Sequence, residues 1–312
     1  MLNTWTHRMA TLGLVTVLYK SDGFLEDFFR SLSIQTYTDY HLYLIDNSSS
    51  PATEELVKRL AKQYAIPAYT HVQNDGNYGV AKGNNLGIKP ALEAGCDYVL
   101  LLNNDIEFVN PKLFEEMMDR AVNHGEDVII PKIMFFGTRV IQSAGGIFIN
   151  YKGVSHSVGY KHPDGEPYNE PGYHEYAPTC FMLVSKNVFE KVGIMDEKYF
   201  VYFDDNDFTY RVSRAGFRLY FMPQLEIFHK VSMSTGGYET YFSVYHINRN
   251  RLYFIRKNFT FPMKQFALSW ALATKSLQYF TSYKGERRKA LAKALKDGLK
   301  MKPIEQEKQH AK

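Results

Sequence analysis

The hydrophobic and polar positions in the first third of the chain follow two different periods. Short apolar runs rich in β-branched residues predict buried strands, and apolar positions three or four residues apart predict amphipathic helices. Strands are predicted at "TLGLVTVLY", "HLYLID", "AYTHVQN" and "DYVLLLNNDIEF", with helices at "DGFLEDFFRSLSIQT", "PATEELVKRLAKQYA" and "VAKGNNLGIKPALEAG" between them. This alternation predicts an α/β fold whose mostly parallel sheet is covered by helices on both faces.

Polar turns follow three of the predicted strands. They are Asp46-Asn47, the segment from Asn74 to Asn77, and Asn103-Asn104-Asp105. Ligands of parallel sheets bind beyond the carboxyl ends of the strands. The three turns therefore predict a binding site for a polar ligand at that edge.

The pattern changes between residues 135 and 180. This stretch is rich in Gly, Pro, Tyr and His, has little periodicity, and is predicted to lack regular structure. Such long irregular segments are uncommon unless they are functional or disordered, and the many aromatic residues argue against disorder. A strand at "FMLVS" and a helix at "KNVFEKVG" are predicted to follow.

The segment "YFVYFDDNDF", residues 199–208, places three carboxylates among aromatic residues. Carboxylates in apolar surroundings cost free energy unless they are paired, and such surroundings raise their pKa. Asp207 and Arg211 stand four residues apart on the predicted helix "DFTYRVSRAGF", which predicts a structural ion pair. Asp204 and Asp205 remain candidates for chemistry.

Composition narrows the class of protein. The length of 312 residues fits one large α/β domain or a domain with an appendage. Aromatic residues make up 15%, which is compatible with a site that stacks on rings or sugars. Two cysteines make a disulfide framework implausible and favour a reducing compartment. Without a visible leader or membrane span, we expect a cytoplasmic protein.

The net charge of +4 is concentrated near the C-terminus. Residues 284–312 carry ten basic and four acidic side chains, so the body of the chain has a small acidic surplus. Two amphipathic helices are predicted beyond residue 255, the first with an aromatic stripe (Phe266, Trp270, Ala273, Leu277, Phe280) and the second with leucines (Leu291, Leu295, Leu299). Basic amphipathic helices lie at anionic membrane surfaces.

That surface role is predicted for the second helix. For the first helix it stands beside packing on the rest of the chain or on a second subunit, so a homo-oligomer is one expectation. We predict a catalytic domain over residues 1–255 and a basic helical extension over residues 256–312.

The order of motifs resembles family 2 of the glycosyltransferases, the inverting branch with a GT-A fold. It is most similar to the rhamnosyltransferase-like and galactofuranosyltransferase-like members. The motifs span roughly residues 12–255 and are "VTVLYKS", "LIDNSSS", "NYGVAKGNNLGI", "LLNNDIEF", "VFEKVGIMDEKYFVYFDDNDFTYRVSRAGFRLYFMP", "IFHKVSMS" and "NRNRLYF".

The resemblance implies a divalent cation, Mg²⁺ or Mn²⁺, held by Asp105 and His229. Hard cations prefer oxygen ligands, which suits Asp105, although the family's Asp-x-Asp stands here as Asn103-Asn104-Asp105. Ser232 and Ser234 are further candidates for phosphate contact. The residues predicted to bind the donor are Thr16, Tyr19, Asp46, Asn77, Gly79, Lys82, Asn85 and Asn104.

The resemblance also assigns the acidic pair. Asp205 is the expected general base and Asp204 the residue that orients the acceptor. The expected donor is dTDP-rhamnose, with a UDP-sugar (UDP-galactofuranose, UDP-glucose or UDP-galactose) as the alternative. The expected acceptor is a growing, lipid-linked polysaccharide at the cytoplasmic face of a membrane, and no nucleic-acid partner is expected.

The sequence favours a glycosyltransferase over three other classes of protein. A non-catalytic module that binds sugar nucleotides or glycans remains an alternative, because the cation motif has a single carboxylate. A nucleotidyltransferase or a dinucleotide oxidoreductase requires a Gly-rich loop after the first strand, and "LYKSDGFLED" has none.

Overall fold

The computed structural model describes residues 11–230 and 240–303. Within them, a twisted central sheet is flanked by helices, and this confirms the predicted α/β class. The strands are β1 (Leu12–Leu18), β2 (Tyr40–Asp46), β3 (Tyr69–Gln73), β4 (Tyr98–Leu102), β5 (Ile106–Glu107), β6 (Val128–Phe135), β7 (Ile141–Ser143), β8 (Gly146–Ile149), β9 (Val154–Ser157), β10 (Gly172–His174), β11 (Phe181–Ser185) and β12 (Leu219–His229). The helices are α1 (Asp22–Ser33), α2 (Pro51–Gln63), α3 (Gly79–Glu93), α4 (Leu113–His124), α5 (Lys186–Val192), α6 (Asp204–Arg214), α7 (Tyr241–Asn258), α8 (Met263–Thr281) and α9 (Gly285–Lys300).

The half of the sheet formed by β3, β2, β1 and β4 is parallel, as predicted. Helix α3 packs closely on this half because two of its three glycines, Gly83 and Gly87, face β1. A Cβ atom on Gly87 would lie 2.5 Å from Cγ1 of Val15 in β1. This close approach positions the N-terminus of α3 above the carboxyl ends of the strands.

The other half of the sheet is mixed. Strand β11 lies antiparallel between β4 and β6, and β12 runs parallel to β6. The insertion of β11 brings the end of β12, with His229, to the same edge as the end of β4. Residues of two distant motifs therefore meet there.

The segment 135–180 contains more regular structure than predicted. It holds β7, which pairs with β6, a hairpin of β8 and β9, and β10, which pairs with β12. Each of these strands has three or four residues. Runs this short show no measurable alternation, so periodicity could not predict them.

The three C-terminal helices pack on one another. The predicted domain boundary at residue 255 falls inside α7. The buried residues of α7 share a hydrophobic cluster with Tyr199 and Phe203 of the preceding domain and with Ala267 of α8. Helix α9 buries Ala290, Leu291 and Ala294, and its close approach to α7 depends on Gly298, where a Cβ would lie 2.6 Å from the Arg249 carbonyl oxygen.

Helix α9 buries only part of its apolar face against α7, since Leu291 is fully buried and Leu299 is 42% exposed. The surface role of this basic helix stays a prediction. Residues 304–312 of the predicted basic tail lie outside the described residues. None of the described helices has an apolar stretch long enough to cross a bilayer.

Candidate active site

A cavity of about 290 Å³, here named cavity A, lies at the carboxyl ends of β1, β2 and β4. The three polar turns predicted to meet at this edge contribute Asn47, Asn77 and Asn104 to its lining, which confirms that they converge. The predicted site residues that line cavity A are Tyr19, Asn77, Gly79, Asn104, Asp105 and His229.

Amide side chains hold the polar turns in place. Asn47 donates to the Gly79 carbonyl oxygen at 3.2 Å and accepts from Asn74 at 2.8 Å. Asn77 accepts from the Gly79 N–H at 2.9 Å, and Asn104 donates to the Val17 carbonyl oxygen at 2.6 Å. These bonds fix the loops around the cavity.

Gly79 joins the start of α3 to the aromatic segment 199–203. Its φ angle is +79°, and a Cβ at this position would lie 2.2 Å from the Phe200 carbonyl oxygen. The next residue, Val80, donates its N–H to the same oxygen at 2.7 Å. Only glycine combines this backbone conformation with so close an approach.

Replacement of Gly79 by alanine should therefore open cavity A. The methyl group would push Phe200 away and break the bond from Val80, so we expect at least a tenfold loss of ligand affinity. Gly76→Ala is a matched control, since a Cβ there meets no atom within 4 Å. The affinity of each variant for nucleoside diphosphates, measured by calorimetry, tests this. Equal affinities for both variants would show that the contact is unimportant.

Asp105 and His229 lie together at the floor of cavity A. His229 Nε2 is 3.2 Å from Asp105 Oδ1, and His229 Nδ1 is 2.9 Å from Gln142 Oε1. Because the Gln142 oxygen can only accept, Nδ1 carries a proton and donates to it. Nε2, which faces the carboxylate, then either carries a second proton or presents its lone pair. The pKa of His229 is lowered by burial, but Cys180 and Asp105 outweigh this and raise it above its usual value.

This arrangement suits a divalent cation. Asp105 Oδ1 is buried, and His229 Nε2, although 3.2 Å away, does not have the geometry of a hydrogen bond to it, so this carboxylate oxygen receives no hydrogen bond. An imidazole whose Nδ1 is held by an acceptor presents Nε2 as a metal ligand. The described residues contain no group of three or more His, Cys, Asp or Glu side chains around a metal position. The protein would thus supply two ligands, and a bound diphosphate the others.

Two predicted donor-binding residues do not face cavity A, and these assignments are corrected. Thr16 is fully buried and lies on the opposite face of β1 from Val17, which does line the cavity. Asn85 is buried. Its Oδ1 accepts a hydrogen bond from the Met195 backbone N–H at 3.0 Å, and its Nδ2 donates to the Met195 carbonyl oxygen at 2.9 Å. Asn85 therefore ties α3 to the loop after α5.

Two other predicted donor-binding residues are near the cavity but do not line it. Lys82 lies with Nζ 3.6 Å from the centre of the Tyr78 ring. Asp46 has no exposed surface; its Oδ1 accepts from the Ser48 N–H at 2.7 Å, and its Oδ2 lies 3.5 Å from His71 Nε2. Neither Asp46 Oδ2 nor His71 Nε2 has a hydrogen-bond partner. Both roles stay predictions. Ser232 and Ser234 lie outside the described residues.

The backbone just before the acidic pair is strained. Tyr202 and Phe203 both have positive φ angles, 62° and 67°, in a region that non-glycine residues rarely adopt. Asn250, which is fully buried on α7, donates to the carbonyl oxygens of Val201 and Tyr202 at 2.9 and 2.8 Å. Strain of this kind concentrates at functional sites, and here it places Asp204 and Asp205 at the start of α6.

Asp204 and Asp205 themselves do not line cavity A, although residues 200–202 do. The Asp205 carboxylate accepts from the Tyr176 hydroxyl and from the Asn206 N–H, both at 2.7 Å. Burial raises the pKa of Asp205. Burial and the adjacent Asp205 carboxylate raise the pKa of Asp204 to about 8. A carboxyl group with this pKa keeps its proton at neutral pH, so the second member of the pair, Asp205, is the candidate for accepting one.

The raised pKa of Asp204 predicts a pH-dependent stability. Its folded-state pKa lies above the unfolded value, so folding loses stability as pH rises from about 4 towards 8, by up to about 1.4 kcal/mol per pH unit. Asp204→Asn should remove this loss. Urea unfolding of wild type and variant at pH 5 to 8 measures it, with the exposed Asp119→Asn as control. Parallel curves for wild type and Asp204→Asn would exclude the raised pKa.

Asp207 is structural, as predicted. It is fully buried, and its Oδ2 accepts from Arg211 Nε and Lys257 Nζ, both at 2.8 Å. Its Oδ1 accepts from Asn258 at 2.8 Å and from the Tyr199 hydroxyl at 3.3 Å. Burial alone raises the pKa of Asp207, but the two cations outweigh it and lower the pKa below its usual value.

Several residues of the site could not be found in the sequence. Gln142, Tyr176 and His71 lie in segments without recognisable motifs, and their roles depend on contacts with residues far away in the chain. Asn250 was contained in the quoted "NRNRLYF", but its bond to the strained backbone is visible only in three dimensions.

The sequence of the chain is similar to those of known proteins. The family model described as "Glycosyl transferase family 2" matches residues 14–193. The low-salt glycan biosynthesis hexosyltransferase Agl10 of Haloferax volcanii is 25% identical over 248 residues, which are 77% of this chain and 74% of the relative. The N-acetylglucosaminyl-diphospho-decaprenol L-rhamnosyltransferase of Mycobacterium tuberculosis is 26% identical over 72% of this chain and 78% of its own length.

Solved structures share the fold. The mannosyltransferase PcManGT from Pyrobaculum calidifontis, solved with GDP-Man and Mn²⁺, superposes with a TM-score of 0.56. The match covers 94% of this chain and 87% of that one, at 12% identity.

Proposed function

Because the chain belongs to glycosyl transferase family 2 and is a glycosyltransferase, we propose that it is a metal-dependent inverting enzyme. Its donor is dTDP-rhamnose, and its acceptor is a lipid-linked polysaccharide precursor. The observation that carries this proposal is the orphaned carboxylate oxygen of Asp105 beside His229 in cavity A, where the polar turns of the sheet converge.

The reaction is a single displacement at the anomeric carbon of the donor. The acceptor oxygen forms the new bond, the bond to the diphosphate breaks, and its electron pair leaves with the diphosphate. Asp105 and His229 would hold a divalent cation, which would supply positive charge to the departing diphosphate. Asp205 takes the proton of the acceptor hydroxyl, and burial raises its pKa, which strengthens it as a base. Tyr176 and the Asn206 N–H hold the Asp205 carboxylate in position.

The choice of donor follows from the relatives. One relative is named as an L-rhamnosyltransferase, which supports rhamnose as the transferred sugar, and another is named as a dTDP-rhamnosyl transferase, which supports dTDP-rhamnose. Asp46 has no exposed surface and its Oδ2 lies 3.5 Å from His71 Nε2, so it does not discriminate between thymine and uracil. A UDP-sugar is therefore the second candidate.

A panel of nucleotide sugars tests the proposed activity. Purified protein is incubated with dTDP-rhamnose, UDP-galactofuranose, UDP-glucose, UDP-galactose or GDP-mannose, with Mn²⁺, Mg²⁺ or EDTA. We expect dTDP-rhamnose to raise the melting temperature only with a divalent cation and to be turned over with an acceptor. Binding without turnover that Asp205→Asn leaves unchanged would instead favour a non-catalytic binding module.

The exposed face of α8 supports a position at the membrane surface. Four side chains along one side of this helix, Phe266, Trp270, Leu277 and Phe280, are between 40% and 74% exposed. Arg288 on α9 lies 5.7 Å from the Phe280 ring centre, so positive charge adjoins the apolar stripe. Exposed aromatic and basic groups on one amphipathic face match the interface of an anionic bilayer. The proposed membrane surface thus combines the apolar side of α8 with basic side chains of α9.

Two substitutions test this surface. Leu277→Ser combined with Phe280→Ser should weaken binding to vesicles that contain anionic lipid about tenfold or more, because each side chain contributes apolar area. The control combines Val109→Ser and Val122→Ser, which are exposed elsewhere. Vesicle co-sedimentation measures the effect. If wild type dimerises in solution and ignores vesicles, α8 is a subunit interface instead.

A further inference from the structure

A second cavity, here named cavity B, lies between β9, the start of α6, and helices α7 and α8. Its volume is about 260 Å³. Phe203 and Asn206, which flank the Asp204–Asp205 pair, line cavity B, whereas residues 200–202 line cavity A. The acidic pair therefore stands between the two cavities in the chain, and a group bound in cavity B would lie beside it.

Two basic side chains line cavity B without acidic partners. Arg251 on α7 donates from Nε and Nη2 to the Lys152 carbonyl oxygen at 2.9 and 2.5 Å, and its Nη1 makes no bond to the described residues. Lys275 on α8 donates to Gln278 at 2.8 Å, which leaves two of its protons for a ligand. Within residues 11–230 and 240–303, neither cation forms an ion pair.

Arg251 and Lys275, two neighbouring cations without acidic partners among the described residues, cost folding free energy. Burial lowers the pKa of Arg251, and burial together with the charge of Arg251 lowers the pKa of Lys275 to about 8. Elsewhere in this protein, buried cations such as Lys257 contact carboxylates. Arg251 and Lys275 are partly buried, and unpaired charge in such surroundings is normally avoided unless a ligand supplies the opposite charge.

Asn248 gives an independent sign of a ligand in cavity B. Its side chain is 3% exposed, and its Nδ2 donates to the Val244 carbonyl oxygen at 2.7 Å. Its Oδ1 has no hydrogen-bond partner. This oxygen can only accept, so it requires an O–H or N–H group. Cavity B thus presents two cations for an anion and one acceptor for a neutral donor.

We propose that cavity B binds the phosphate of a glycosyl phosphate, with Arg251 and Lys275 holding the phosphate oxygens and Asn248 accepting from the sugar. This inference rests on the proposed function, because it identifies the ligand as the acceptor. It assigns the acceptor class: a sugar that carries its phosphate while it is glycosylated. The residue that takes the proton, Asp205, is covalently adjacent to Asn206 in the wall of the cavity.

The test measures binding in EDTA, where no metal-dependent transfer occurs, so its outcome is independent of the donor reaction. The probes are inorganic phosphate, inorganic pyrophosphate and glucose 1-phosphate, titrated by calorimetry into the full chain. Lys275→Met should weaken glucose 1-phosphate binding about tenfold or more, since a charge-assisted contact is lost. Lys296→Met, on the exposed side of α9, is the matched control and should bind as wild type.

A local measurement excludes binding elsewhere. Lysines are acylated at pH 8 with and without ligand, and each site is quantified by mass spectrometry. We expect glucose 1-phosphate to protect Lys275 at least fivefold and to leave Lys296 unchanged. Equal labelling of Lys275 in both conditions, or unchanged affinity of Lys275→Met, would overturn the site. If inorganic phosphate binds as tightly as glucose 1-phosphate, the assignment to a sugar ligand is overturned.

Discussion

Replacement of Asp205 by asparagine should lower kcat by about 10²–10⁴-fold, the usual contribution of a positioned general base. The amide cannot accept the acceptor proton, but it can still accept a hydrogen bond from Tyr176, so the fold is preserved. Steady-state kinetics with a sugar donor, combined with the dissociation constant of the nucleoside diphosphate, separates chemistry from binding. We expect the dissociation constant to change less than threefold, because donor binding takes place in cavity A.

Asp204→Asn is the control in the same turn of α6. It removes a carboxylate of equal size but leaves the proposed base intact, so its effect on kcat should be at least tenfold smaller. If Asp204→Asn abolishes turnover and Asp205→Asn does not, the two roles are exchanged. If neither substitution lowers kcat, the base lies elsewhere in the protein.

Asp207→Asn should affect stability instead of chemistry. We expect it to lower the free energy of unfolding by about 3–5 kcal/mol, the range for removing one partner of a buried ion pair. The substitution leaves Arg211 and Lys257 buried with one neutral oxygen between them. Lys257 also contacts Asp196, and the Asp196 carboxylate accepts from the Tyr253 hydroxyl at 2.8 Å, so the loss reaches α7. Urea unfolding at pH 7 measures the free energy of unfolding.

Asp205→Asn serves as the matched control for this experiment as well. The same change of side chain, two residues away on the same helix, should alter the free energy of unfolding by less than about 1 kcal/mol, since Asp205 forms no ion pair with the residues that the structure describes. Equal destabilisation by both substitutions would mean that Asp205 is also structural. Full stability of Asp207→Asn would contradict a structural role for the contacts of Asp207 with Arg211, Lys257 and Asn258.

Local sequence patterns predicted the parallel half of the sheet well. There, strand and helix periods are long enough to be recognised, and polar turns mark the strand ends. The ion pair of Asp207 with Arg211 was likewise predictable, because it lies within one helix. Patterns of this kind depend only on residues that are near each other in the chain.

The predictions that failed depend instead on contacts between residues that are far apart in the chain. The resemblance that named Thr16 as a donor-binding residue did not say which face of β1 it occupies, and Asn85 binds a loop more than one hundred residues away. The sequence also did not show that α7 covers Leu291 of α9. The pairs Gln142–His229 and Arg251–Lys275 join elements whose proximity is set by the whole fold.

The residues from Tyr199 to Asp207 show how one segment serves several purposes. Its aromatic side chains enter the cluster shared with α7 and α8, and its last carboxylate anchors buried cations. Between them, a strained turn held by Asn250 presents the acidic pair. The stable contacts on both sides maintain a backbone conformation that is unfavourable on its own.

The central claim is that a nucleoside diphosphate sugar binds in cavity A through a cation held by Asp105 and His229. Electron paramagnetic resonance of Mn²⁺, titrated into the protein with and without dTDP, tests this directly. We predict one tightly bound Mn²⁺ per chain in the presence of dTDP, and at least tenfold weaker binding in Asp105→Asn. Equal Mn²⁺ binding by wild type and Asp105→Asn, or no effect of dTDP, would contradict it.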